Sequence, residues 1–72
     1  MNIVAKPLEI ARRRIERGWD KSGLAREAKV NHSLISRAEQ GNGVSPATAK
    51  AIADALESPV FDLFELSDGR AV

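Results

Sequence analysis

Apolar residues recur along the chain at intervals of three and four, and this pattern predicts five helices. No run of β-branched residues alternates with polar ones, so the pattern predicts no strand. The predicted helices cover residues 7–17, 21–28, 32–40, 46–56 and 59–65. We therefore expect one domain over residues 1–72, with a core at about 7–65, a flexible arm at 1–5 and a flexible tail at 66–72.

Several residues mark where the helices begin and end. Pro7 suits a first helical position, where its missing N–H has no partner to lose. Asp20 and Asn31 are good N-caps for the second and third helices. Gly18 and Gly41 stand where a helix ends with a left-handed residue.

Each predicted helix has one apolar face that we expect to point inward. In the first helix, Leu8, Ala11 and Ile15 share a face. The expected inward residues of the other helices are Leu24, Ala25, Ala28, Ile35, Ala38, Ala49, Ile52, Ala55, Leu56, Val60, Leu63 and Phe64.

The second and third helices are separated by only three residues, 29–31. Two short helices joined by so tight a turn are typical of a helix-turn-helix, whose second helix enters the DNA major groove. Apart from its inward residues, the third helix is polar, with His32, Ser33, Ser36, Arg37 and Gln40. Solubility alone can explain such a face, but it also suits a helix that touches polar base edges.

Charge is distributed unevenly along the 72 residues. Residues 1–39 carry nine Lys and Arg against five acids, whereas residues 40–72 carry two against five. This asymmetry is consistent with one face for a polyanion, or with ordinary fluctuation in a short chain. The chain has no cysteine and one histidine, so we expect no disulfide, metal site or cofactor. No nucleophile–base set is visible, and we expect no enzyme activity and no small-molecule substrate.

The segment GWDKSGLAREAKVNHSLISRAEQG, residues 18–41, resembles the phage-repressor and Cro family of helix-turn-helix regulators, also called the xenobiotic-response-element family. The resemblance continues through TAKAIADAL and FDLF and covers roughly residues 8–65. It implies an all-α, five-helix lambda-repressor-like DNA-binding domain with the helix-turn-helix at the second and third helices.

The resemblance also implies roles for individual residues. Base-reading positions of the family match His32, Ser33, Ser36 and Arg37. Phosphate-contacting positions match Lys21, Ser22, Lys29, Gly41, Asn42 and Gly43. Arg14 and Glu39 match a structural ion pair that joins the first helix to the third.

Four positions depart from the family pattern. Lys29 and Glu57 stand where the family has glycine, so a left-handed backbone there would carry about 1 kcal/mol of strain each. Arg13 replaces a leucine, and Lys21 replaces a glutamine that braces the recognition helix.

Two functions agree with these observations. The first is a DNA-binding regulator, most simply a repressor, that binds a palindromic operator in double-stranded DNA as a dimer. The second is a protein-interaction module on the same fold, such as the antitoxin of a toxin–antitoxin pair. Dimerisation would use the fifth helix and the tail, where Phe61 is either a dimer contact or half-covered core. We expect no membrane association and a cytoplasmic protein of bacterial or phage origin.

Overall fold

The computed structural model describes residues 2–67, of which residues 2 and 67 are described by their backbone alone. The helices and strands follow the order β1, α1, α2, α3, β2, α4, α5, β3. The helices are α1 Pro7–Glu16, α2 Lys21–Ala28, α3 His32–Glu39, α4 Pro46–Ala55 and α5 Val60–Leu63. The strands are β1 Asn2–Ala5, β2 Gly43–Val44 and β3 Phe64–Ser67. All five predicted helices are present, with bounds close to the expected ones except at α5.

A small antiparallel sheet of order β2-β1-β3 joins the two ends of the described chain. Ile3 pairs with Val44 on one side and with Leu66 on the other. The prediction of no strand is therefore wrong, and so is the prediction of a flexible arm for residues 2–5. Residues 66 and 67 of the predicted tail belong to β3, and residues 68–72 lie outside the described residues. Strands of two to four residues are too short for their alternation to be visible in the sequence.

The core is one cluster that gathers residues from all five helices and from β1 and β3. Its largest fully buried side chains are Phe64, Ile10, Leu24, Ile35, Ile52 and Leu63. Trp19 is partly buried and packs against this cluster, and the Arg17 guanidinium lies 5.5 Å from its ring centroid.

The expected inward face of α1 is wrong. Leu8 and Ile15 are 77% and 63% exposed, whereas Ile10 is completely buried. Residues 8 and 10 lie about 200° apart around a helix, so they cannot both point inward. The buried side of α1 instead carries Ile10 and the ion-paired Arg14. The other helices bury the expected residues, except that Ala55 and Val60 are only partly covered and Ala53 is buried in addition.

The last predicted helix is shorter than expected. It ends at Leu63, because Phe64 adopts extended backbone angles and starts β3. Phe64 is still fully buried, as its apolar character predicts. The chain thus changes from helix to strand without losing core packing, and β3 brings the end of the described chain next to β1.

Candidate nucleic-acid interface

A bidentate ion pair ties α3 to α1. Arg14 Nε donates to Glu39 Oε2 at 2.7 Å, and Arg14 Nη2 donates to Glu39 Oε1 at 3.0 Å. A third bond runs from Arg14 Nη1 to the carbonyl of Trp19 at 2.9 Å. The hydrogen bond to Glu39 raises the pKa of Arg14, against the lowering effect of burial, and the charges of Glu39 and Asp20 add to the rise. Arg14 is consequently a cation that is paired within the protein and holds α3 against α1.

The turn between α2 and α3 is closed by backbone hydrogen bonds. Lys29 adopts left-handed angles with φ 59°, as the comparison with the family's glycine implies. The N–H of Val30 bonds to the carbonyl of Ala25 at 3.0 Å, which ends α2. Asn31 then caps α3, and Ile35 is completely buried beneath the corner. These contacts set the direction in which α3 leaves the turn.

Close approach near the start of α2 favours a glycine. A Cβ on Gly23 would lie 3.2 Å from Trp19 Cβ and 3.3 Å from Asp20 Oδ1. The N–H of Gly23 also donates to Asp20 Oδ1 at 2.7 Å. The glycine, although unfavourable within a helix, therefore lets Trp19 pack directly against α2.

The outer face of α3 carries the predicted base-reading residues. His32, Ser33 and Arg37 are exposed, and Ser36 is partly exposed. Ile35 and Ala38 fill the opposite side and are completely buried. The structure therefore places all four polar side chains on the side away from the core, as an inserted helix requires.

Gln40 is a further polar residue of this face, which the sequence argument did not assign to base reading. It is the C-cap of α3 and is exposed. Helical spacing places it seven residues after Ser33 and four after Ser36, on the same outward stripe. The i, i+3, i+7 spacing of Ser33, Ser36 and Gln40 was the signal that could have identified it.

The N-terminus of α2 presents two backbone donors. Asp20 accepts the N–H of Gly23 with its side chain, and its carbonyl accepts the N–H of Leu24 at 3.1 Å. Within residues 2–67, the N–H groups of Lys21 and Ser22 have no acceptor. Two free donors at the positive end of a helix dipole can hold a phosphate oxygen. Lys21 stands at the same place with its ammonium group.

The loop after α3 was expected to contact a phosphate through Gly41, Asn42 and Gly43, but two of its backbone donors are already hydrogen-bonded. The N–H of Gly41 bonds to the carbonyl of Ala38 at 3.0 Å, and that of Asn42 bonds to the carbonyl of Arg37 at 3.1 Å. This is the Schellman arrangement with Gly41 at φ 82°, so both backbone donors are used within the protein. The exposed side-chain amide of Asn42, one N–H of which donates to Gln40 Oε1 at 3.4 Å, is a further candidate donor of this loop, and Gly43 lies opposite Val4 in the sheet.

The cations of the described residues differ in whether the protein itself supplies them with a partner. Arg12, Arg13, Arg14, Arg17 and Lys50 each lie within 4.0 Å of a carboxylate. Lys6 donates to the carbonyl of Phe61 at 3.4 Å. The other four, Lys21, Arg26, Lys29 and Arg37, have no carboxylate partner among residues 2–67, and all four belong to the helix-turn-helix. Within residues 2–67, positive charge without a protein partner is therefore concentrated in the helix-turn-helix.

The exposed apolar side chains lie on other parts of the fold. Phe61 on α5 is 59% exposed and Leu66 on β3 is 52% exposed. Phe61 is therefore mostly uncovered in the isolated chain. None of the helices in the described part of the chain has the length and apolar character that a membrane crossing needs.

Comparisons with known proteins identify the domain and its fold. A family model described as a helix-turn-helix domain matches residues 8–63. The crystal structure of the transcriptional regulator VanUg, form II, is similar with a TM-score of 0.71 and 20% sequence identity, over 90% of this chain and 87% of that chain. No curated protein matches the sequence. The family match and the structural likeness confirm the five-helix lambda-repressor-like fold.

Proposed function

Because the chain belongs to the helix-turn-helix family of DNA-binding domains, of the phage-repressor and Cro type, we propose that it regulates transcription by binding a specific DNA sequence. Its recognition helix is α3, which enters the major groove with His32, Ser33, Ser36 and Arg37 toward the base edges. Arg37 reads a guanine, because a guanidinium can donate to both O6 and N7 of that base.

The division of the cations carries this proposal. Lys21, Arg26 and Lys29 lie on α2 and in the turn before α3, and they have no carboxylate partner in residues 2–67. We assign them, together with Ser22 and the Asn42 side chain, to phosphate contacts that orient the domain. Each neutralised phosphate contributes about −0.9 to the slope of log affinity against log salt.

The regulator acts as a repressor that occupies a palindromic operator as a dimer. Two copies related by a two-fold axis would place their recognition helices about 34 Å apart, one turn of DNA. The exposed Phe61 and Leu66, on α5 and β3, are the contacts that we assign to this dimer. Both side chains lie outside the helix-turn-helix, so pairing there leaves α3 free to bind.

Selection of bound sites from a random duplex pool tests the proposal. Wild type should enrich a two-fold symmetric motif that contains a guanine. In Arg37→Ala, the free-energy difference that favours guanine over the other bases at that position should decrease by about 1–3 kcal/mol. Arg12→Ala is the matched control, since Arg12 is an exposed arginine of α1 that pairs with Glu9 at 3.5 Å.

Repeating the selection at two salt concentrations separates sequence reading from general attraction to DNA. Enrichment that persists at higher salt supports a specific regulator. If no motif is enriched and binding disappears at moderate salt, α3 does not read sequence. A protein partner, as for an antitoxin, would then be the function to pursue.

A further inference from the structure

Asn31 and Ser33 form a small hydrogen-bonded unit at the start of α3. Asn31 is the N-cap, and Ser33 is one of the exposed residues on the outer face. We propose that Asn31 fixes the hydroxyl proton of Ser33, so that Ser33 accepts a hydrogen bond only from a base that carries an amino group. This inference rests on the proposed function and assigns a chemical class to one base of its site.

The first step is the orientation of the Asn31 amide. Its Oδ1 accepts the backbone N–H of Ser33 at 3.0 Å. A backbone N–H can only donate, so the amide must direct its oxygen, and not its nitrogen, toward Ser33. The capping bond therefore determines which atom of Asn31 the Ser33 side chain meets.

The second step is the direction of the side-chain bond. Ser33 Oγ lies 3.1 Å from the same Oδ1. An amide oxygen has no proton to give, so the hydroxyl must be the donor. With its proton held against the protein, Ser33 presents lone pairs to the groove. An unconstrained serine would rotate and accept or donate as its partner required.

The third step is the match to the base edges. In the major groove, adenine N6 and cytosine N4 are donors, whereas guanine O6 and thymine O4 are acceptors. A Ser33 that only accepts favours adenine or cytosine and leaves an unfavourable oxygen–oxygen contact with guanine or thymine. Arg37, one turn further along α3, can only donate and has the opposite preference. Each half-site should thus pair an amino-bearing base near Ser33 with a keto-bearing guanine near Arg37.

The test compares selected sites for wild type and three variants. Ser33→Ala identifies the base position that Ser33 reads, by reducing discrimination there about 3- to 10-fold. At that base pair, wild-type binding should depend on the amino group of adenine N6 or cytosine N4 and not on the keto oxygen of the partner base. Asn31→Ala frees the hydroxyl and should reduce the preference as much as Ser33→Ala does. Asn31→Asp keeps an acceptor oxygen at the cap, so it should keep the preference while weakening binding to all sequences.

A substitution in the DNA provides a readout that does not depend on protein folding. With wild-type protein, replacing the adenine or cytosine of the Ser33 base pair by its analogue without the amino group, purine for adenine or 2-pyrimidinone for cytosine, should weaken binding about 3- to 10-fold. The same replacement should have no effect on Ser33→Ala. Thermal melting of each variant verifies that the domain remains folded.

Several results would overturn the inference. Wild-type binding that is unaffected by removal of the amino group at the Ser33 base pair contradicts it, as does an Asn31→Ala protein that keeps the full preference for that base pair. If Ser33→Ala changes no position while Arg37→Ala still loses its guanine, the inference fails and the proposed function stands. If wild type enriches no motif, both fail together.

Discussion

The arginines of α1 and the cations of α2 and α3 are equally positive in the sequence but differ in what surrounds them. Arg12, Arg13 and Arg14 of α1 each lie near a carboxylate of the protein. Lys21, Arg26 and Lys29, on α2 and its turn, have no such partner within residues 2–67. The comparison shows that the fold itself neutralises most of a run of basic residues. The proposed DNA-binding surface rests instead on positive charge that the folded protein leaves uncompensated.

The largest expected effect concerns the α1 group. Arg14→Ala should lower the free energy of unfolding by about 3–5 kcal/mol, because it leaves Glu39 charged and unpaired in a site where its side chain is only 6% exposed. Glu39→Ala should lower the free energy of unfolding by about as much, because it leaves the Arg14 guanidinium charged and without its carboxylate partner. Chemical denaturation of both variants measures the loss.

A double variant is the control for this prediction. Arg14→Met combined with Glu39→Leu removes both charges and fills the space with apolar side chains, so it should recover much of the lost stability. Single variants that each lose less than about 1 kcal/mol would show that the pair is no more than a surface salt bridge.

An intermediate effect is expected at two strained positions, one in the turn between α2 and α3 and one directly after α4. Lys29 and Glu57 have φ values of 59° and 53°, which glycine adopts without strain. Lys29→Gly and Glu57→Gly should each raise the free energy of unfolding by roughly 0.5–1 kcal/mol, after the extra entropy of an unfolded glycine is deducted. Thermal or chemical denaturation measures this gain.

Binding to DNA should separate these two variants. Lys29→Gly removes a proposed phosphate contact, so the salt slope should become shallower by about one. Glu57→Gly removes only an exposed partner of Arg17 at 3.6 Å and should leave the slope unchanged. Equal slopes for the two variants would mean that Lys29 does not face a phosphate.

The smallest expected effect contrasts two exposed arginines. Arg12→Ala breaks a pair whose Arg12 and Glu9 side chains are 71% and 37% exposed, so stability should change by less than about 0.5 kcal/mol and DNA affinity should not change. Arg26→Ala should likewise leave stability unaltered but weaken binding to all DNA sequences alike. Titration of one duplex with both proteins measures this difference. A comparable loss for Arg12→Ala would place α1 in the interface as well.

Much of the fold was predictable from local signals. Asp20, Asn31 and Ser45 each accept a backbone N–H at the start of a helix, as their chemistry predicts. The polar face of α3 was also predictable, because Ile35 and Ala38 are its inward residues and determine which side faces solvent. The sequence did not predict that the N–H groups of Gly41 and Asn42 are already hydrogen-bonded within the protein, because those bonds depend on the backbone geometry at the end of α3.

By itself, the sequence determined the five helices, the tight turn between α2 and α3, and the polar character of the outer face. These features depend on capping residues and periodicity, which act over a few neighbouring positions. The tertiary structure alone decided that residues 2–5 form a strand, since β1 exists only by pairing with β2 and β3. It also decided the rotation of α1, because Ile10 and the Arg14–Glu39 pair, and not the stripe of Leu8 and Ile15, meet the rest of the core. Contacts between distant segments select one of several faces that a short amphipathic helix offers.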